Sequence, residues 1–506
     1  MPPTDDLLVY CWPQSVVSGD DVAIHASGPG VEVAVEIARI GATREVVRRG
    51  TMGVQPQALG PEVVAEGCDW PAAAHLTVEP EWRSGYYEVV LTHDGQAPEP
   101  VEAVAFFVVR PTTTDPARPL LVLATNTWCA YNDVGGQNLY RSFDVPPSSV
   151  VSFRRPMARG FLRRVDSPGS RVAIVGGPDP TMTAHVTLML EEGYSSWFGS
   201  AGWAGWEGPF AAWAEAGGYE LDYATNADLV DHPELLDGRR LVLSVGHDEY
   251  WTARMRDAIE AFAEDGGNVA FLSGNTACWQ VRIEDDGQTL VGYKEAFHDD
   301  PVLGTDRQAQ LTTLWSDTLL GRPENAMTGV SFMRGGYHRI GRNVGRGAGG
   351  YTVQRPEHWV FEGTGVTYGD LIGADAVTVG YECDGCHLEV RDGLPFPTGL
   401  DGTPSDFEIL GLAPAEHFDR HNALRPVHEG ELSEIEHFAS RVLGGHDPDE
   451  VARLRHGHAV MGLHRPGGTV FTAGTTEWPW GCANRDPIIE RITQNLLNRL
   501  TSPDGP

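Results

Sequence analysis

Between about Leu7 and Arg110 the apolar positions come in short runs that alternate with polar ones, as in Val31-Glu32-Val33-Ala34-Val35-Glu36-Ile37, Tyr86 to Leu91 and Val104 to Val109. A period of two is that of a strand with one face buried, and runs at this spacing predict an antiparallel β-sandwich over residues 1–110. The polar, proline-bounded stretch Pro111 to Pro116 reads as part of a linker over 111–119. After it the pattern changes. Leu120 to Ala124, Leu241 to Val245 and Asn268 to Leu272 are apolar runs without alternation, as in strands covered on both faces. Thr252 to Glu264 between the last two has helical spacing, and Thr469 to Thr472 followed by Pro487 to Leu500 repeats the strand-then-helix order. This predicts an α/β domain with a parallel sheet over 120–506. The stretch from about 300 to 437 is rich in glycine, proline and aromatics, and the pattern assigns it no regular element.

Composition narrows the partners. Seventy acidic residues against 37 basic ones give a net charge of -33, which repels phosphate backbones and anionic lipid surfaces, so neither nucleic acid nor membrane is an expected partner. Met1 to Asp6 lacks a basic stretch leading into an apolar one, and the expected location is the cytoplasm. Seven cysteines are few and odd in number, so free thiols rather than a disulfide framework are expected.

In a parallel α/β sheet, sites form beyond the carboxyl ends of the strands. Four segments fall there: Thr125 to Asn132, His247 to Trp251, Ser273 to Thr276, and Thr475 to Trp478. The densest is His247-Asp248-Glu249-Tyr250. One reading is helix capping, with Asp248 or Glu249 in the first turn of the next helix. The other is chemical: a carboxylate beside a histidine suits metal binding with the imidazole assisting, and no serine or cysteine stands at the turn as a nucleophile. Tyr131 lies on the same rim, where a phenol oxygen can serve as a hard ligand beside a polarising cation. Cys383-Asp384-Gly385-Cys386-His387 resembles half of a zinc site, but no second pair of ligands has the spacing to complete it.

At these same loops the chain resembles the carboxy-terminal domain of the N,N-dimethylformamidase large (beta) subunit family. The resemblance is carried by Asn126-Thr127-Trp128-Cys129-Ala130-Tyr131-Asn132 with Gly135-Gly136, Gly246 to Trp251, and Leu272 to Thr276 with Trp279. His358 to Phe361 and Gly380-Tyr381-Glu382 add to it, and the whole covers roughly Leu120 to Leu500. It implies a glutamine-amidotransferase-like α/β layout and hydrolysis of an amide C–N bond at one ferric iron held by two tyrosines and a glutamate. Carried over by position, Glu249 and Tyr131 are iron ligands, with His247 and Glu382 as the assisting histidine and second acid. The motifs do not fix the second tyrosine. Tyr194 is taken as the candidate and Tyr140 as the alternative, and Met157 stands where an aromatic is expected. Asn126, Trp251 and Asn275 are expected to line the pocket for a small or N-substituted amide. The resemblance leaves room for a companion subunit or a homo-oligomer. Two other readings stand beside it: an inactive carbohydrate- or protein-binding relative, and an amidotransferase-like hydrolase without metal.

Overall fold

The computed structural model describes residues 6–93, 101–141, 145–164, 191–339, 347–423 and 427–503, so most of the amino-terminal stretch Met1 to Asp6 lies outside it. Eight strands come first: β1 (Leu8–Trp12), β2 (Ser15–Val16), β3 (Asp21–Ser27), β4 (Glu32–Ile40), β5 (Arg44–Gly53), β6 (Ala72–Thr77), β7 (Gly85–His93) and β8 (Val101–Val109). Among the described residues they form a three-stranded sheet, β1-β3-β6, and a five-stranded sheet, β2-β8-β7-β4-β5. Alternation explains their packing. Val33, Ile37, Val89, Leu91 and Phe107 of the larger sheet face Val9, Cys11, Val22 and Ile24 of the smaller one in a common core. The opposite parity, Tyr86, Phe106 and Val108, turns outward into a second core shared with the rest of the chain.

That second core joins the β-rich part to the α/β part. Tyr86 stacks on Trp203 with ring centroids 4.1 Å apart, and Phe106 meets the edge of Trp128 at 5.1 Å. Arg39 pairs with Glu215 at 2.6 Å and Arg110 with Asp228 at 2.8 Å, all four nearly buried. The proline-bounded stretch after Arg110 therefore connects two regions already bonded to each other.

From residue 120 the strands are β9 (Leu120–Leu123), β10 (Val150–Ser152), β11 (Asp222–Thr225), β12 (Leu241–His247), β13 (Tyr250–Trp251), β14 (Asn268–Gly274) and β15 (Trp279–Gln280). A nine-stranded sheet runs β11-β9-β12-β14, then Val470–Thr472, His456–His464, Glu408–Glu416, Tyr351–Val353 and Leu371–Ile372. Its first five strands are parallel, and β9, β12 and β14 are buried at every position. The last four join antiparallel, which departs from the all-parallel expectation. The reason is local. His456–His464 returns to Val470–Thr472 through the short Arg465 to Thr469 connection, too short for a parallel crossover. Three strands of that half come from 300–437, the region to which the apolar pattern assigned nothing.

Helices Thr125–Tyr131 and Ala253–Glu264 leave the parallel half, and the latter is capped by Thr252 Oγ1, which accepts from the Met255 N–H at 3.2 Å. Asp248 and Glu249 are thus free of the capping role. Helix Glu207–Ala216 brings Glu207 beneath Trp128, whose Nε1 donates to Glu207 Oε1 at 3.0 Å, while Oε2 takes no hydrogen bond. Burial pushes this carboxyl up to about 8. A carboxyl raised in the folded state contributes stability below its ordinary range, and that contribution is lost as pH rises through the folded value. The melting temperature is therefore expected to fall as pH rises from the ordinary carboxylate range to about 8, with little further loss from this group above that, and Glu207→Gln to flatten that fall when the two proteins are scanned side by side.

Candidate active site

The carboxyl ends of β9, β12 and β14 converge on one cavity. Gly246 makes the turn after β12: its φ is 82°, and a Cβ there would lie 2.3 Å from the Trp206 Cβ. Nearby, the Glu249 backbone N–H donates to Thr127 Oγ1 at 2.9 Å, which fixes the β12 turn against the helix after β9. Short strands β13 and β15 pair parallel and bring Trp279 alongside. Gly274 ends β14 so close to Glu382 that a Cβ would meet the Glu382 carbonyl oxygen at 2.6 Å.

Glu249 is the centre of the group, with 2 % of its surface exposed. Its Oε1 accepts from the Tyr140 hydroxyl at 2.5 Å and from Trp279 Nε1 at 2.8 Å, while Oε2 takes no hydrogen bond. The Tyr250 hydroxyl donates to the Tyr140 hydroxyl at 2.7 Å, and the Lys294 ammonium donates to Tyr250 at 3.0 Å. The same ammonium stands 3.2 Å from the centre of the Tyr140 ring. His247 donates from Nδ1 to the Ser200 carbonyl at 2.7 Å, since a carbonyl can only accept. Its Nε2 lies 2.8 Å from Glu382 Oε2 and 3.3 Å from Glu249 Oε2, as an ion pair without hydrogen-bond alignment to either. Asn275 Nδ2 donates to Glu382 Oε2 at 3.2 Å.

These contacts set the protonation states. Burial alone would lower His247, but Glu382 and Glu249 outweigh it and hold the imidazolium well above the usual histidine range. Burial alone would raise Glu249, but His247, Lys294 and the Tyr140 hydroxyl outweigh it and keep the carboxylate ionised. Tyr131 and Tyr140 are pushed well above the ordinary phenol range by burial and by the charge of Glu249. A ring of further buried carboxyls is raised by burial: Asp248 to about 6, and Asp384 and Glu477 each to about 7.

The cavity, of about 300 Å3, is walled by Tyr131, Tyr140, Glu249, Asn275, Trp279 and Glu382, and farther out by aromatic rings and acids. His247 lies between the two glutamates behind this wall. Several expected residues are placed elsewhere. Tyr194 lies under the Arg159 guanidinium, 4.2 Å from its ring centre, and packs on Phe198. It does not line the cavity. Tyr140 does, with its ring 4.5 Å from that of Tyr131. Asn138 folds the loop this way, donating to the Tyr131 carbonyl at 2.7 Å and accepting from the Tyr140 N–H at 2.8 Å. Asn126 does not reach the cavity either; its amide donates to the Tyr250 carbonyl at 3.0 Å and supports the turn. Trp251 packs on Phe271 and Met255 in a separate core and donates to the Asp248 carbonyl at 3.1 Å. The seven cysteines are free and buried, and among the described residues no three His, Cys, Asp or Glu side chains are grouped to hold a metal ion.

Lys294 was not singled out from the sequence, although a signal exists: it is the only lysine in the chain, every other strong base being arginine. It is buried and left-handed at φ 55°, a conformation that costs a non-glycine residue energy.

A buried, fixed acid–imidazole–phenol cluster at the strand ends of an α/β sheet defines an enzyme-like centre. The comparisons agree in kind: residues 34–490 match the sequence profile of the family described as N,N-dimethylformamidase beta subunit-like, C-terminal, and the chain belongs to that family. The match begins inside β4, well before the Leu120 limit of the motif resemblance. The N,N-dimethylformamidase beta subunit of an Alcaligenes species is 26% identical over 235 residues, which are 44% of this chain and 29% of that relative's length. Among the described residues no helix is long and apolar enough to cross a membrane.

The charge balance at Glu249 gives a test. A carboxyl lowered in the folded state contributes stability above its ordinary value and loses it as pH falls through the folded one. Lys294→Met is expected to destabilise the protein by about 2 kcal/mol at neutral pH, the typical worth of hydrogen bonds to charged groups. Denaturant melts at falling pH should show that deficit shrinking; a deficit constant down to acid pH would contradict the charge assignment.

Proposed function

We propose that the chain is a metal-dependent hydrolase of the C–N bond of a small or N-substituted amide. The observation that carries the reading is that Tyr131, Tyr140 and Glu249 line one cavity with Glu382, with the Tyr140 hydroxyl bonded to Glu249 and His247 behind the wall. The residues fit a hard cation such as ferric iron. Oxygen donors suit it, and Glu249 Oε2 is buried with no hydrogen bond. Tyr131, Tyr140 and Glu249 would hold the ion, with Tyr140 in the place first given to Tyr194. When bound, the ion supplies Lewis-acid polarisation of the amide carbonyl and of water.

The remaining steps belong to the side chains. Glu382 accepts a proton from the attacking water as its oxygen bonds to the carbonyl carbon. It then returns that proton to the departing nitrogen as the C–N bond breaks, leaving an acid and an amine. His247 acts through Glu382: it holds that carboxylate in place from 2.8 Å, and the Ser200 carbonyl keeps the His247 Nδ1 protonated. Asn275 orients Glu382 from the other side. In this reading the α/β layer is glutamine-amidotransferase-like, and a companion subunit, as the name of the Alcaligenes relative implies, remains part of the proposal.

Metal analysis of the purified protein together with amine release from a panel of formamides and larger amides tests the reading. Stoichiometric metal and turnover are expected, both lost in Glu249→Gln; a protein without metal and without turnover overturns it in favour of a binding role. Because His247 is held charged, activity should persist through neutral pH and decline only as pH rises well beyond the usual histidine range. His247→Asn should lower kcat by about 100-fold or more and abolish that alkaline decline. An unchanged pH profile in the variant would remove His247 from the mechanism.

A further inference from the structure

The cavity extends well past the reacting groups. Its volume, about 300 Å3, lies in the range of pockets for ligands much larger than a formamide of a few heavy atoms. From His247 the wall runs outward through two rings, Tyr381 at 5.7 Å and then Tyr337 at a further 6.4 Å between centroids. Tyr337 stacks on Phe418 at 4.1 Å and donates its hydroxyl to Glu434 Oε2 at 2.9 Å. The other oxygen, Glu434 Oε1, is buried and takes no hydrogen bond; the His417 Nδ1 faces it at 3.9 Å, within ion-pair but not hydrogen-bond distance. Glu434 is the first residue of helix Glu434–Val442, where the helix dipole favours a carboxylate.

Two more buried polar atoms on this wall are without hydrogen bonds: His437 Nε2 and Asn275 Oδ1, on residues 7% and 3% exposed. Burial keeps His437 below the usual histidine range and therefore uncharged. Glu295 and Glu431 also line the cavity's outer part. Among the described residues the nearby positive groups are committed: Lys294 to Tyr250, His247 to its two glutamates, and Arg141 to Glu431 at 3.6 Å. What the outer half offers is carboxylate oxygen beside aromatic rings, the surroundings that favour an organic cation.

We propose that the outer half of the cavity is a cation subsite, so that the amide cleaved here carries a primary ammonium group on an apolar stem, which docks on Glu434 beside the stacked Tyr337 and Phe418 rings. This rests on the amidase reading for the inner half but not for the subsite itself. The stem lies along Tyr381 and Tyr337, and the ammonium donates to the half-exposed Glu434 carboxylate.

Calorimetric titration of the full chain with N-acetyl-1,6-diaminohexane and its uncharged counterpart N-heptylacetamide tests the subsite by binding alone. The charged probe is expected to bind at least about tenfold more tightly at low salt, a margin within reach of a cation–carboxylate contact among aromatic rings. Glu434→Gln should remove most of that preference, and Glu295→Gln, at an exposed position that should not disturb folding, should reduce it. Equal binding of the two probes, or a preference that survives both substitutions, overturns the subsite. Turnover of the same probes is read separately. Preferential binding without hydrolysis by metal-loaded protein leaves the subsite standing and defeats the amidase reading. Hydrolysis of both probes without preference defeats the subsite and leaves the amidase reading intact.

Discussion

A carboxylate withdrawn from water, at Glu249, is the constraint on which the rest of the structure depends. An isolated buried charge is too costly to persist and would protonate unless it were paired and hydrogen-bonded. Glu249 is served by the Tyr140 hydroxyl, by Trp279 Nε1, by the His247 imidazolium and by the field of Lys294. Each comes from a different stretch of chain: the loop after the first helix, the segment after β14, the end of β12 itself, and the loop leading to residue 294. The convergence of those stretches at the strand ends is what the ionised state of one side chain requires. Removing any one partner would leave the others facing an uncompensated charge.

Around this ionised carboxylate the protein keeps others close to neutrality. Asp248, Asp384, Glu477 and Glu207 are buried with hydrogen bonds but make no ion pair among the described residues, and burial raises each of them. Within one shell, then, environment divides chemically similar acids into an ionised one and several that hold protons far more readily. That division is how a fold assigns different roles to like residues. It also limits the negative charge gathered at the centre, so that two cations, His247 and Lys294, suffice to balance it.

The parts of the structure legible in sequence were those governed by local pattern. β9, β12 and β14 are uninterrupted apolar runs because both their faces are covered, and such runs announce themselves. His247, Glu249, Glu382 and Asn275 drew notice because they stand at strand ends or in unusual strings, and the fold places them side by side. What stayed hidden depends on contacts distant in sequence. The choice of Tyr140 over Tyr194 comes from Asn138 closing a loop onto the Tyr131 carbonyl. Asn126 and Trp251 looked like pocket residues because of their neighbours in the chain, yet helix packing turns both inward. The antiparallel half of the large sheet is built from short strands among glycines and prolines, where no period is long enough to read.

The β-rich segment is best understood as a brace for this site rather than an appendage. Helix Thr125–Tyr131 has seven residues, too few to hold its own shape in water, yet it must present Thr127 to the Glu249 backbone and Tyr131 to the cavity. Its register is imposed by packing at Trp128, which lies against Phe106 and Tyr86 of the larger β-sheet on one side and bonds to Glu207 on the other. The outward face of β7 and β8 is thus a wall of the site's foundation. The family match, which starts at residue 34 rather than at the linker, fits that dependence: a site set on so short a helix needs the sheet that holds it.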